Sequence, residues 1–269
     1  MPLSRSVTFA VAVNNRELFE TNFLASPGFQ VSHEHQIIAQ ERFTSASKAY
    51  NDAIDRSSND LIVFCHQDVF LPEGWLLELR RALERMEVLD PSWGVLGCYG
   101  ETLADNGRGY VYSSGRGIMG RPFEDPAEVQ TLDEIVLILR KSSGLRFDES
   151  LPHFHLYGTD ICLRAARRQM KNYAISAFCI HNTNQTLVLP SEFYECHGHI
   201  RQVWKDRLPI QTTCIRITRS CLSLYRRRLT ELYLRHIRRK EYGGTRVSDV
   251  RGLLTKRPAS LGPSDSASL

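Results

Sequence analysis

The residues of this chain that could do chemistry gather where apolar runs end. In "NDLIVFCHQDVFLPEGW", residues 59–75, Leu61 to Phe64 run straight into Cys65, His66, Gln67 and Asp68, and then into Pro72 and Gly74. A carboxylate offered at the end of a buried strand serves either a ligand outside that strand or the turn that follows it, as a cap before "LPEG". His181, in "CIHNT", closes a second apolar run, where an imidazole is either structural or a metal ligand. His153 and His155 alternate in the extended "LPHFHLYG", lining a site or packing over the sheet; packing is favoured. "ECHGHI" at 195–200 suggests zinc, but Cys196, His197 and His199 lack the paired second half such a site needs.

These residues need a frame. Residues 7–13 form an apolar, β-branched run, and "FETNFLA" after it has helical spacing closed by "SPG". "HQIIAQ" reads as a second strand. Ala46, Ala49, Tyr50, Ala53 and Ile54 recur at helical spacing, with Thr44 or Ser45 as cap. A strand at 61–65, a helix burying Trp75, Leu76, Leu79, Leu83 and Met86, and a strand in "WGVLGCYG" follow. This alternation predicts an α/β fold with a mostly parallel, mixed sheet flanked by helices. Ligands of such sheets bind beyond the carboxyl ends of the strands, where Asn14, Gln40 and Asp68 stand. Further on, "DNGRGYVYSSGRGIMGRP" suggests a hairpin or mobile loop, "EVQTLDEIVLILRK" a strand carrying Asp133 and Glu134, "YGTDICLRAARRQM" a helix, and "NYAISAFCIHNT" a strand. Helices are expected over 190–208 and from Ile215 to Arg239.

Composition bounds the function classes. With 42% hydrophobic and 24% charged residues among 269, the chain is that of an ordinary soluble protein, and no apolar run approaches membrane-spanning length. Seven scattered cysteines without a CxxC point to a reduced, cytoplasmic protein. The net charge of +4 hides an asymmetry: residues 201–269 hold 16 Lys+Arg against 5 Asp+Glu, leaving an acidic body.

"SKAYNDAI", "FCHQDVFLPEGW", "GVLGCYG", "RFDESLPHFHLYGTDICLRA" and "CIHNT", in this order and separation, resemble the family 2 glycosyltransferases of GT-A fold. Within it the chain is most similar to the branch related to streptomycin-biosynthesis glycosyltransferase-like proteins, where "HQD" follows the third strand. The resemblance spans roughly residues 7–185. It implies a nucleotide-diphosphate sugar donor, with a UDP-sugar favoured, and a divalent cation, Mn²⁺ or Mg²⁺, bridging its phosphates. The sugar would pass to an acceptor hydroxyl, with inversion.

Residue by residue, the resemblance puts Asp68 at the metal-binding Asp of a DxD motif, with His66 in place of the first Asp and Gln67 between them. His181 stands where relatives supply a further metal or phosphate contact. Val13 and Asn14 would meet the base, Gln40 and Glu41 the nucleoside, and Lys48 and Asn51 the base or phosphate; a plain amphipathic helix also accounts for the last two. The base that takes the acceptor's proton is the departure. Relatives place an acidic residue where this chain has Gly158, so Asp160 is the first candidate and Asp133 the second. Asp160 could equally serve as an N-terminal helix charge. Gly158 motivates the alternative function, a non-catalytic sugar-nucleotide or glycan-binding relative. A nucleotidyltransferase is less well supported, since "VNNRELFE" lacks a glycine-rich phosphate loop.

The expected organisation is a transferase domain over 1–189, a basic helical extension over 190–245 packed on it or tethered to it, and a disordered tail over 246–269. The extension has Leu222, Tyr225, Leu229, Leu232 and Ile237 on one side and arginines on the others. Its apolar side would dock on the acidic body, or it would associate peripherally with the inner face of an anionic membrane. Nucleic acid is not expected, because no surface aromatics accompany the arginines.

Overall fold

Alternation along each apolar run builds a sheet with two covered faces. The computed structural model describes residues 6–29, 35–104, 106–220, 222–239 and 242–256. In chain order come β1 (Val7–Val13), α1 (Arg16–Leu18) with a π-helical turn (Phe19–Phe23), β2 (Gln36–Glu41), α2 (Ala46–Arg56), β3 (Leu61–His66), β4 (Val69–Phe70), α3 (Trp75–Leu89), β5 (Leu96–Gly97), β6 (Tyr99–Glu101), β7 (Gly107–Ser113) and β8 (Gly117–Gly120). Then follow β9 (Ala127–Val129), β10 (Thr131–Leu132), β11 (Val136–Arg140), α4 (Tyr157–Arg167), β12 (Asn172–Ala174), β13 (Cys179–His181), β14 (Gln185–Thr186), α5 (Ser191–Val203), α6 (Leu222–Tyr233) and β15 (Tyr242–Gly244).

The main sheet runs β2-β1-β3-β11-β5-β12-β9. Pairing is parallel from β2 through β1 to β3, antiparallel on both sides of β11, and parallel again between β5 and β12. The sheet is therefore mixed, as expected, and its parallel pairing is concentrated in the first three strands. Val7, Phe9 and Val11 of β1, Val63 and Cys65 of β3, and Val136 and Ile138 of β11 enter one core with Trp75, Leu79 and Met86 of α3. The intervening Ala10, Ile62, Phe64, Leu137 and Leu139 enter the other, against Tyr50 and Ile54 of α2 and Ile161 of α4. Period-two alternation that is apolar at every position is what burial on both faces demands.

Local signals set the helices. Ser45 caps α2 by accepting the Lys48 N–H at 3.4 Å. Gly74 precedes α3 at φ +82°, a backbone setting that glycine reaches without strain. α5, the first part of the helical extension, is packed on the body: Phe193, Cys196, Ile200 and Trp204 are buried in the second core. The C-terminal helix begins at Leu222 rather than near Ile215.

A second sheet, β10-β6-β7-β13-β4 with β8 beside β7, sits at the strand ends. The glycine-rich stretch forms its β7–β8 hairpin. "NYAISAFCIHNT" is two strands in two sheets, β12 and β13. Residues 246–256, expected within a disordered tail, are another correction: Val250 and Leu253 are buried against Phe70, Tyr110, Phe178 and Ile180. Residues 257–269 lie outside the described residues.

Candidate active site

Register brings the site together. Ala12 pairs with His66 and Val13 with Glu41, so β1, β2 and β3 end level. Antiparallel β13 pairs His181 with Val69, which sets the imidazole beside Asp68 across 113 residues of sequence. The Asn182 N–H donates to the Asp68 carbonyl at 2.9 Å and fixes that approach. On the other side, the His66 N–H donates to the Ile135 carbonyl at 3.2 Å, which brings the Asp133–Glu134 turn alongside.

Asp68 is 8% exposed. Its Oδ1 lies 3.3 Å from His181 Nε2, and its Oδ2 accepts from Arg246 Nη2 at 3.1 Å. His66 Nδ1 lies 3.4 Å from the same His181 nitrogen, while His66 Nε2 lies 2.9 Å from the Tyr157 hydroxyl. Burial opposes the Asp68 charge, but His181, His66 and Arg246 outweigh it and hold the carboxyl well below its ordinary range. Burial likewise opposes a charge on His181, and Asp68 overrides it, raising the imidazole. His66 goes the other way: burial, then the charge of His181, lower it to about 4, so its ring is neutral at pH 7.

Could these residues hold a metal? His66, Asp68 and His181 each offer one ligand atom, all within 4.8 Å of one another. Separations of 3.3 and 3.4 Å match neighbouring ligands around an ion roughly 2.1 Å from each donor. A neutral imidazole with its far nitrogen on a tyrosine is an oriented ligand. Two nitrogens and one oxygen suit Mn²⁺ better than Mg²⁺, which prefers oxygen alone.

The cluster stands between two cavities. One, of about 750 Å³, is lined by Val13, Asn14, Arg16, Gln40, Glu41, Arg42, Phe43, Gln67, Phe154 and Tyr157 besides the cluster. The other, of about 290 Å³, shares His66, His181 and Thr183 with it and is lined by Asp133, Glu134, His155 and Arg227 among others.

Of the expected nucleotide contacts, Val13, Asn14, Gln40, Glu41, His66 and Gln67 all line the larger cavity. Gln67 is partly committed: its carbonyl accepts the backbone N–H groups of Asn14 and Asn15. The Gln40 amide donates to the Ala49 carbonyl and Asp52, so it mainly holds α2 to the sheet. Two expectations are corrected. Lys48 lies on the exposed side of α2 and lines neither cavity. Asn51 is buried and clasps the Phe147 backbone, accepting its N–H and donating to its carbonyl, each at 3.0 Å.

The carboxylates divide in the same way. Asp160 is also corrected as a candidate base: it is 1% exposed, with Oδ1 taking the Trp204 indole N–H at 2.8 Å and Oδ2 taking Arg164 Nε at 2.6 Å. It ties α4 to α5 and lines neither cavity. Asp133 lines the smaller cavity, its Oδ1 accepting the Ile135 N–H at 3.1 Å. Glu134 accepts the Gly158 N–H at 3.3 Å; burial, then the charge of Asp133, push its carboxyl up to about 8. A Cβ at Gly158 would come within 2.8 Å of the Leu132 carbonyl and 3.1 Å of Glu134 Cγ, so this backbone admits no side chain there. Sequence reading missed Arg246. Its Nε donates to the Asn182 carbonyl at 2.9 Å, and Asn182 in turn accepts the Val247 N–H. No local pattern around "GGTRVSDV" signals this.

Comparison with known proteins adds the family. The profile of the family described as "Glycosyltransferase like family" matches residues 8–196, well over half the chain. The chain belongs to this glycosyltransferase-like family. A relative from Fuscovulum blasticum, "ATP synthase subunits region ORF 6", is 26% identical over 165 residues, 60% of this chain and 66% of that protein. Among solved structures, S. aureus TarS (residues 1–349) aligns with TM-score 0.45 and 14% identity over 73% of this chain and 64% of its own. The mannosyltransferase PcManGT from Pyrobaculum calidifontis, in complex with GDP-Man and Mn²⁺, aligns with TM-score 0.45 and 11% identity over 77% and 65%. This glycosyltransferase-like protein has a mixed α/β fold, its main sheet flanked by helices. Among the described residues no helix is long and apolar enough to cross a membrane.

Proposed function

We propose that this protein transfers a sugar from a nucleotide-diphosphate sugar to an acceptor hydroxyl, with a divalent cation held by His66, Asp68 and His181. The observation that carries the reading is the position of this cluster, at the junction of a large cavity over the strand ends and a smaller one lined by carboxylates. The larger cavity takes the donor, its nucleoside over the ends of β1 and β2 beside Asn14 and Glu41. The smaller one takes the acceptor.

When bound, the cation offsets the charge that builds on the departing diphosphate. The chain's own residues do the rest. Asp133 accepts the proton of the acceptor hydroxyl. That oxygen then bonds to the anomeric carbon as the bond from this carbon to the diphosphate oxygen breaks, and the nucleoside diphosphate leaves with the electron pair. The Arg246 guanidinium, already at the cluster, gives the leaving phosphate a second positive neighbour. Glu134, neutral at pH 7, holds the turn before α4 and leaves the proton transfer to Asp133.

Calorimetry tests the donor side. Mn²⁺ should tighten UDP binding in the native protein and have no such effect in Asp68→Ala; equal behaviour of the two proteins refutes the site. A second reading, binding without turnover, draws on the absence of room for a side chain at Gly158. Hydrolysis or transfer of a UDP-sugar, reduced about 100-fold or more by Asp133→Asn with UDP affinity intact, excludes it.

A further inference from the structure

Helix α6 is mounted the wrong way round for a helix of a freely dissolved body. Surface helices turn their apolar stripe inward and their charges outward. Here the buried residue is Glu231, 6% exposed, which takes the Tyr194 hydroxyl at 2.5 Å, Arg227 Nε at 2.8 Å and the Leu189 N–H at 3.2 Å. Arg227 also donates to the Leu187 carbonyl at 2.8 Å, and the Arg228 guanidinium lies 4.4 Å over the Tyr194 ring. The docked face, on which Leu224 is half-buried, is thus held by polar contacts. Leu222, Tyr225, Leu229 and Leu232, three and four residues apart, share the opposite face and are 52–66% exposed; Ile237, in the π-helical turn beyond, is 70% exposed. The apolar stripe expected to lie against the body faces away from it, so that expectation is corrected.

Exposed arginines border this stripe: Arg226 on the helix, and Arg235, Arg238 and Arg239 at its end. We propose that this face seats the protein on the surface of an anionic lipid bilayer. The stripe enters the boundary between headgroups and acyl chains, and the bordering guanidiniums meet lipid phosphates. Charge decides between this occupant and a second copy of the chain. Two such faces apposed would bring arginine against arginine, whereas an anionic headgroup layer supplies the opposite sign at every edge of the stripe. Apolar side chains rimmed by arginines also match what an in-plane interfacial helix requires. The polar contacts through Glu231 and Arg227 make mechanical sense as well, since they fix the helix to the body while leaving the stripe free.

Sedimentation of the full-length protein with vesicles tests this. The protein should bind vesicles of phosphatidylglycerol mixed with phosphatidylcholine, show little binding to phosphatidylcholine alone, and be released by raised salt. The double variant Leu229→Ser, Ile237→Ser should lose about tenfold in vesicle affinity with an unchanged melting temperature, because both side chains are exposed. Failure to bind anionic vesicles overturns the proposal, as does binding that the apolar substitutions leave intact. A concentration-dependent dimer abolished by the same substitutions assigns the face to a second copy and overturns it too.

Discussion

Replacing Glu134 by Gln should make the protein more stable at high pH and leave it unchanged at low pH. The carboxyl is raised to about 8 from an ordinary 4.5, first by burial and then by the neighbouring Asp133 charge. The sign follows directly. Below pH 4.5 both folded and unfolded chains hold the proton, and the group makes no difference. Between 4.5 and 8 the unfolded chain gives it up while the folded one retains it, so stability falls as pH rises. Each pH unit in that window costs about 1.4 kcal/mol, or roughly 5 kcal/mol in all; solvent screening at this half-buried side chain brings the expected figure to about 3 kcal/mol. Gln keeps an oxygen for the Gly158 N–H and has no charge to bury. Urea unfolding of both proteins at pH 5, 7 and 9 measures the difference, whose growth with pH is the signature. Parallel stability–pH curves would refute the reasoning and return Glu134 to the ionised state at pH 7.

Other perturbations separate structure from chemistry at the same cleft. Arg246→Met keeps the apolar stem and removes the guanidinium beside Asp68; UDP affinity in the presence of Mn²⁺ should fall about tenfold, the loss of one charge-assisted hydrogen bond. Equal affinity removes Arg246 from the donor site. Asn51→Ala strands the buried Phe147 backbone groups and should cost about 2 kcal/mol in urea unfolding, with UDP affinity unchanged per folded molecule. A fall in UDP affinity without loss of stability would restore Asn51 as a nucleotide contact.

Much of the frame was legible in the chain because its causes are local. Alternation along "VTFAVAV" and "LIVFCH" marks β1 and β3, Ser45 before Ala46 marks the start of α2, and a carboxylate after a buried strand marks Asp68 as the residue to explain. Those signals lie within a few residues of one another. The same local reading failed at Asn51 and Asp160, because a polar residue on an amphipathic helix looks alike whether it meets a ligand or, as here, holds a distant backbone or the Trp204 and Arg164 side chains. It failed again at α6, where spacing gives the apolar stripe but not the direction in which the helix is mounted.

The sequence by itself determined the first three strands, the helices that cover them, and the end of β3 as the place where chemistry belongs, since periodicity and turn chemistry are properties of neighbouring residues. Tertiary structure alone decided which side chains meet there. Pairing of His181 with Val69 sets a second imidazole against Asp68, and the anchoring of Val250 and Leu253 brings Arg246 to the same carboxylate. The Asp133 turn, rather than Asp160, comes to face the second cavity. These meetings span from 69 to 178 residues of chain, and only strand register and core burial, summed over the whole fold, can fix contacts at that distance.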